Sequence, residues 1–262
     1  MTTIAREIAV EVRDLRMAYG KKLIQEDIHF SVAKGSVFII MGGSGCGKST
    51  LLKHLIGLLP PAAGQVLYGN TDYWQADVET QDAIRRRFGV LFQGSALFST
   101  LTLAENVVMP MQLNGDARQS AAERRERAEA LLQLVGLGHA MDLLPNEISG
   151  GMKKRAALAR ALALNPEFLF LDEPSAGLDP ISSRKLDELI LDLRDRTGAA
   201  VLVVTHELPS LFAIGDDGIF LDAVSKKPIA RGAPKQLLAE CEHPFVQAFL
   251  NREVPAGESS DE

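Results

Sequence analysis

A glycine-rich run near residue 45 carries the clearest chemical signal in the sequence. Positions 42–49 read GGSGCGKS, which fits the pattern G-x-x-x-x-G-K-[ST] of a phosphate-binding loop. Its glycines let backbone N–H groups turn toward phosphate oxygens, Lys48 can neutralise the β- and γ-phosphates, and the Ser49 hydroxyl can ligate Mg²⁺. Ordinary residue usage gives such a match by chance in about 1% of chains this long, so a plain glycine turn is disfavoured. The predicted phosphate-binding residues are Gly42, Gly43, Ser44, Gly45, Cys46, Gly47, Lys48, Ser49 and Thr50.

An acidic pair follows an apolar strand further along the chain. Residues 168–171 are apolar and lead directly into Asp172 and Glu173. We assign Asp172 to hold Mg²⁺ through water and Glu173 to polarise the attacking water, and general-base help of this kind is worth roughly 10²–10⁴ in rate. The alternative is a strand that ends in a solvated acidic loop, and the phosphate-binding pattern makes it the weaker interpretation.

Two further features point toward phosphate. His206 follows the apolar run 199–204 and is a candidate for contact with the γ-phosphate, although a lone histidine is more often structural. Ser149, Gly150 and Gly151 open a helix and supply a hydroxyl, free N–H groups and a positive helix end. One nucleotide needs only one phosphate-binding loop. This second loop therefore suggests a dimer in which the Ser149–Gly151 segment of each copy faces the nucleotide bound to the other. An ordinary Ser-capped helix is the alternative.

The elements that must position these residues are a sheet and its helices. Alternating apolar residues at 8–12 and 28–32 predict half-buried antiparallel strands. Continuous apolar runs at 37–41, 88–92, 168–171 and 200–204, separated by helical stretches, predict a parallel, helix-covered sheet. Helices are expected over 120–136, from a capping box of Ser120 and Glu123, and over about 152–164. Together they predict a mostly helical insertion at roughly residues 95–165.

The composition narrows the class of protein. The chain has 262 residues, enough for roughly one to two domains. Its net charge of −6 disfavours a nucleic-acid binder, and its apolar runs fall far short of the roughly 20 residues that span a bilayer. The N-terminus has no secretory apolar core, and two cysteines give no disulfide framework, so a reducing cytosol is expected. The basic clusters at 85–87 and 153–155 are expected to be solvated faces or phosphate neighbours, and residues 255–262 are expected to be disordered.

These motifs, in this order, resemble the ATPase subunit of an ABC transporter over about residues 8–250. The resemblance implies an α/β P-loop NTPase cassette at residues 1–254, with a mixed core sheet, an N-terminal antiparallel β subdomain and an inserted helical subdomain. It implies ATP and Mg²⁺ as ligands, with Tyr19 stacking on adenine and Gln93 touching Mg²⁺ while reporting to a membrane partner. It further implies a homodimer in which Ser149 and Gly151 close over the γ-phosphate of the opposite subunit and Asp179 links the two sites.

One departure narrows the resemblance to a subfamily. Met152 stands where the family usually has Gln, which leaves in place the hydroxyl and N–H groups that meet phosphate. Segments 91–98, 148–155 and 243–250 resemble the ATPases of mammalian cell entry (MCE) lipid transport systems of the Mla type. That resemblance implies a motor on the cytoplasmic face of the inner membrane. Its expected partners are an integral permease and a periplasmic MCE protein, and residues 93–98 are expected to line the groove that binds the permease. Its expected cargo is phospholipid or another hydrophobic molecule.

Other functions stay open at the level of sequence. An importer motor for a small polar solute is an alternative within the family. A non-transport cassette acting on ribosomes or DNA usually has two linked cassettes or a long coiled-coil insertion, and this chain shows neither. A small-molecule kinase with a phosphate loop would lack the Ser149–Gly151 motif and a coupling groove.

Overall fold

Two β-sheets and the helices around them build the computed structural model, which describes residues 7–253. The tail predicted to be disordered, residues 255–262, lies outside the described residues. The strands are β1 (Ile8–Tyr19), β2 (Lys22–Ala33), β3 (Val37–Gly42), β4 (Ala63–Tyr68), β5 (Thr71–Asp72), β6 (Phe88–Leu91), β7 (Phe168–Asp172), β8 (Ala200–Val204), β9 (Asp217–Leu221) and β10 (Pro228–Arg231). The helices are α1 (Lys48–Leu55), α2 (Val78–Arg85), α3 (Leu103–Asn114), α4 (Ala121–Leu134), α5 (Gly150–Ala161), α6 (Pro180–Thr197), α7 (Leu208–Ile214), α8 (Pro234–Glu240) and α9 (Pro244–Asn251).

The smaller sheet is antiparallel and has the order β2-β1-β4-β5. Its long pair, β1 and β2, alternates buried and exposed residues over much of its length, so that Val10 and Val12 face the core opposite Val32 and Phe30. This alternation is the pattern from which the antiparallel strands were predicted.

The larger sheet is mixed and has the order β10-β9-β3-β8-β7-β6. Every pairing from β9 to β6 is parallel, and β10 pairs antiparallel with β9 at one edge. Strands β3, β7 and β8 are buried along their whole length, which explains their continuous apolar sequences. Because parallel strands end at the same edge, this order brings Gly42, Asp172 and the residue after Leu91 to one side of the sheet.

The two faces of this sheet are covered by different layers. In β3, Val37, Ile39 and Met41 pack into the core that α3, α5 and α6 share, while Phe38 and Ile40 pack into the core beneath the antiparallel sheet. The chain is therefore an α/β fold in which the central strands β3, β7, β8 and β9 contribute side chains to both cores. Within residues 7–253, no helix combines the length and the apolar character that crossing a bilayer requires.

Helices α3, α4 and α5 form a cluster between β6 and β7. The capping box predicted at Ser120 and Glu123 begins α4, and a second capping box of Thr102 and Glu105 begins α3. Helix α5 ends at Ala161, earlier than the predicted end at about residue 164. The chain leaves the helix in tight turns there, and Asn165 adopts a left-handed φ of 53°.

Candidate nucleotide-binding site

The glycine-rich loop connects β3 to α1 at the carboxyl edge of the larger sheet. Two of its glycines are required by the backbone, since Gly42 has φ 141° and Gly47 has φ 104°. A Cβ on Gly42 would also lie 2.3 Å from the carbonyl oxygen of Leu221. The loop is therefore shaped by close packing against β9 as well as by its own conformation.

Polar contacts hold the loop in place from inside. The Lys48 ammonium donates hydrogen bonds of 2.8 Å to the carbonyls of Gly42 and Gly43. From β2, the fully buried Gln25 donates through Nε2 to the carbonyl of Cys46 at 2.8 Å and to that of Asp222 at 2.6 Å. The Cys46 side chain is buried, and burial raises the pKa of its thiol, so this side chain packs as a neutral group.

The end of β7 brings a carboxylate to the start of α1. Asp172 accepts a hydrogen bond of 3.3 Å from the Ser49 hydroxyl. Burial, followed by the neighbouring Glu173 carboxylate, raises the pKa of Asp172, while the Ser49 hydrogen bond and the nearby lysines oppose that shift. Within residues 7–253, no group of three or more His, Cys, Asp or Glu side chains is arranged to hold a metal. A hydroxyl beside one carboxylate fits Mg²⁺, which takes few protein ligands and completes its shell with water and phosphate oxygens.

Glu173 has an unusual environment for a glutamate. Its backbone has a left-handed φ of 50°, and its N–H donates to the carbonyl of Val204 at 2.8 Å. One carboxylate oxygen, Oε1, lies 2.7 Å from Nδ1 of His206, which donates to it. The other oxygen, Oε2, is buried and has no hydrogen-bond partner among the described residues. An unpartnered, buried carboxylate oxygen at this edge is a suitable acceptor for a water proton.

A cavity of about 600 Å³ joins the loop to the catalytic candidates. Its walls come from β2, the glycine-rich loop, the segment after β6, the ends of β7 and β8, and α9. The lining residues are Ile24, Gly42, Gly43, Ser44, Gly45, Gly47, Lys48, Ser49, Thr50, Gln93, Glu173, His206 and Phe249. The structure thus brings Gln93, Glu173 and His206 together with most of the glycine-rich loop.

Other predicted site residues lie outside this cavity. Ser149 caps α5 and accepts a hydrogen bond from the Met152 N–H at 3.3 Å, and it borders a separate, smaller recess with Gly151. Asp179 caps α6 by accepting from the N–H groups of Ile181 and Ser182. Tyr19 is exposed at the end of β1. In a single chain, these residues are therefore separate from the loop, and their predicted roles toward nucleotide stay predictions.

Several residues at the site were missed from the sequence. Ile24 and Phe249 line the cavity, and Gln25 supports the loop, yet the sequence assigned none of them a role at the site. The prediction that 153–155 is a solvated face is wrong at Lys154, which is buried, and the alternative of a phosphate neighbour stays a prediction. The spacing of Lys154 from Ala157 and Ala161 on the buried face of α5 was the available signal.

Comparison with known proteins identifies a family match and two groups of curated relatives. The model of the family described as ABC transporter matches residues 25–176. A probable ribonucleotide transport ATP-binding protein, mkl of Mycobacterium leprae, is 38% identical over 97% of this chain and 72% of its own length. The ATP-binding protein MlaF of an intermembrane phospholipid transport system in Haemophilus influenzae is 36% identical over 93% of this chain and 90% of its own.

Solved structures share the architecture. The dimeric ATP-binding cassette MJ0796, in a post-hydrolysis state with ADP and phosphate, has a TM-score of 0.77 and 31% identity over 85% of this chain and 97% of its own. CbiO1 of Clostridium perfringens, part of an ABC transporter complex, has a TM-score of 0.81 and 27% identity over 96% of this chain and 97% of its own. The likeness therefore extends over both sheets and the helical cluster.

Proposed function

This chain belongs to the ABC transporter family as an ATP-hydrolysing subunit, and we propose that its transport system moves phospholipid or another hydrophobic molecule between membranes. The observation that carries the cargo assignment is the similarity to the phospholipid transport protein MlaF over nine-tenths of both chains.

The site supports a direct mechanism for hydrolysis. In our proposal the backbone of the glycine-rich loop and the Lys48 ammonium hold the β- and γ-phosphates, at the positive N-terminus of α1. Glu173 orients the attacking water and accepts its proton through the unpartnered Oε2, while His206 holds Oε1 and fixes the carboxylate plane. Water attacks phosphorus, the bond to the β–γ bridging oxygen breaks, and ADP leaves with phosphate.

A divalent metal fits the same edge of the sheet. We propose that Ser49, Asp172 and Gln93 hold Mg²⁺, the first two because their oxygens lie together and the third because it lines the cavity. When bound, Mg²⁺ neutralises charge that develops on the phosphate oxygens. Tyr19 is proposed to stack on adenine, a role that its exposed ring at the end of β1 leaves available.

ATP-binding subunits of this family dimerise and work with membrane permeases. We propose that the homodimer encloses two nucleotides, with Ser149, Gly150 and Gly151 of one copy closing over the phosphates on the other and Asp179 joining the two sites. The separation of Ser149 from the cavity within one chain supports this arrangement, since its free helix N-terminus then has a phosphate to meet.

The docking site for the permease is proposed to lie at the edge formed by β6 and the helical cluster. A groove of about 390 Å³ there is lined by Arg85, Arg86 and Arg160 among other residues. Arg160 also donates to the carbonyls of Ser95 and Ala96, so the groove and the Gln93 segment share one residue. A permease helix with acidic side chains or a free C-terminal end suits these guanidinium groups. We further propose an MCE protein in the complex and a position on the cytoplasmic face of the inner membrane.

A second cargo class has one observation in its favour. The mycobacterial relative is described as a probable ribonucleotide transport protein, which fits the alternative of a small polar solute. Purification of the complex from its native membrane separates the two proposals. Co-purifying phospholipid and an MCE-domain protein support lipid transport, whereas a complex that binds ribonucleotides at a site outside this cavity and holds no lipid contradicts it.

The catalytic proposal is tested by Glu173→Gln. The amide keeps the size of the side chain but accepts protons poorly, so turnover should fall by about 10²-fold or more while ATP binding is retained. Trapping of an ATP-bound dimer, measured by size-exclusion chromatography, is the expected outcome. Turnover near the native rate would contradict the assignment of Glu173.

A further inference from the structure

Lys154 is a buried cation in a helix whose neighbouring basic residues are more exposed. It lies in the second turn of α5 and is 7% exposed, whereas Lys153 beside it is half-buried and Arg155 reaches the carbonyl of Val135. A lysine is rarely buried unless its ammonium has partners. The position of Lys154 therefore requires an explanation within the structure.

The partner of Lys154 is the catalytic candidate itself. Its Nζ donates a 2.6 Å hydrogen bond to the backbone carbonyl of Glu173, which carries the left-handed φ of 50°. The N–H of the same residue is bonded to Val204 on the other side. A non-glycine residue keeps such a conformation only where its surroundings fix it. The carbonyl also accepts a longer hydrogen bond of 3.3 Å from the Ala176 N–H, so Lys154 provides the only one of these three bonds that comes from a side chain.

The charges around Lys154 fit an ammonium in this position. Burial lowers the pKa of Lys154, while the carboxylates of Glu173, Asp172 and Glu207 favour its charged form. The cation thus lies among the acidic groups at the ends of β7 and β8. Removing it would leave those carboxylates without their buried positive neighbour.

We propose that Lys154 is a positioning residue for ATP hydrolysis, which holds the backbone of Glu173 so that the carboxylate meets the attacking water. This inference rests on the proposed catalytic role of Glu173. Because α5 begins at the Ser149 cap, the same contact fastens the catalytic acid to the helix whose first turn is proposed to meet the nucleotide of the partner subunit. A movement of that helix would be transmitted to Glu173 through one side chain.

Lys154→Met tests the proposal because methionine has a similar length but neither donor nor charge. We expect kcat to fall by about 10²-fold, the cost of a small misplacement of a catalytic group. The Kd for ATP should change less than threefold, because the glycine-rich loop is untouched. Lys154→Arg, which restores charge and donors, should return kcat to within about fivefold of the native value. Lys235→Met, an exposed lysine in α8, is the control and should change kcat less than about twofold.

Two further measurements keep the result decisive. Lys154→Gln, a neutral donor, replaces the methionine variant if thermal unfolding shows that Lys154→Met does not fold. It should lose about tenfold in kcat at constant Kd. In single-turnover assays, adding Lys154→Met to Glu173→Gln should slow hydrolysis by less than about threefold, because a residue that acts through Glu173 has little left to affect.

The outcomes separate this inference from the proposed function. Near-native turnover of a folded Lys154→Met variant overturns the inference. So does a loss of kcat that is matched by weaker ATP binding, or an undiminished loss in the Glu173→Gln background. If Glu173→Gln itself hydrolyses ATP at the native rate, the catalytic role of Glu173 is wrong. If Lys154→Met hydrolyses ATP at the native rate but Glu173→Gln does not, only the positioning role of Lys154 is wrong.

Discussion

Asp187 lies under the loop that joins β7 to α6 and gives a quantitative test of the structure. It is buried on α6, where its Oδ2 accepts a 2.9 Å hydrogen bond from Ser210. The Ser210 hydroxyl also lies 3.2 Å from that of Ser175, two residues beyond Glu173. Oδ1 of Asp187 has no partner among the described residues. Burial is the main cause that raises the pKa of Asp187 to about 6, from 3.8 for the free group.

The sign of the effect follows from that shift. Because the pKa in the folded state is the higher one, the uncharged carboxyl stabilises the fold below about pH 4, and this contribution is lost as the pH rises to and through about 6. A difference of about two pH units at ~1.36 kcal/mol each corresponds to about 3 kcal/mol in the free energy of unfolding. About 2 kcal/mol of it is lost between pH 4.5 and 7.5.

Asp187→Asn removes the titration and keeps the shape. Relative to the native chain, the variant should gain about 2 kcal/mol between pH 4.5 and 7.5. For a chain of this size that is about 4–8 °C in the difference between the two Tm values. Scanning fluorimetry without nucleotide measures it across the pH range. The control is Asp192→Asn on the same helix, where the carboxylate is exposed and paired with Arg196, so the substitution should change Tm little. A difference in Tm that stays constant with pH would contradict the raised pKa of the buried Asp187 carboxyl.

Three further perturbations test the loop and the dimer. Lys48→Ala should weaken ATP binding by about 10- to 150-fold, which corresponds to the loss of one charge-assisted hydrogen bond. Calorimetry measures the affinity, with Lys53→Ala as the control. Unchanged affinity would count against the loop as the phosphate site. Ser149→Arg mixed in equal amount with the native chain should leave about a quarter of the activity if both sites must close together in a dimer, and half would indicate independent subunits. Gly42→Ala should lower Tm because its Cβ would lie 2.3 Å from the Leu221 carbonyl. In the control Gly43→Ala, the Cβ meets nothing closer than 3.6 Å, so Tm should stay the same. Equal Tm values for the two variants would contradict this packing.

Local sequence patterns were sufficient to predict the parts of the site whose residues lie next to one another in the chain. The glycine-rich loop lies between a buried strand and a helix, as its motif requires, and the acids follow an apolar strand that the sheet buries completely. The capping box of Ser120 and Glu123 correctly predicted the start of α4, because a cap depends on residues three positions apart. The C-terminal ends of helices were predicted less accurately, as α5 shows. Tight turns and tertiary contacts compete with continued helix at these positions.

Residues that act across the fold were not predictable in this way. Gln25 supports the glycine-rich loop from a strand 21 residues earlier, Phe249 reaches the cavity from the last described helix, and Lys154 contacts Glu173 across 19 residues. The sequence assigned none of these side chains a role at the site, because their roles depend on which elements pack together.

The glycine-rich loop between strand and helix, the acidic pair after its apolar strand, the alternation of strands and helices and the likeness to ABC transporter ATPases were all predicted from the sequence, because each depends on residue types at short, fixed spacings. The tertiary structure alone decided which of these residues share a cavity. Strand order brought Lys48, Glu173 and His206 to one edge and left Ser149 and Asp179 outside it. The packing of these elements also set the left-handed backbone conformation of Glu173 and placed the buried Lys154 against its carbonyl. Such features arise from long-range packing, where position in space, and not spacing along the chain, sets charge, burial and hydrogen bonding.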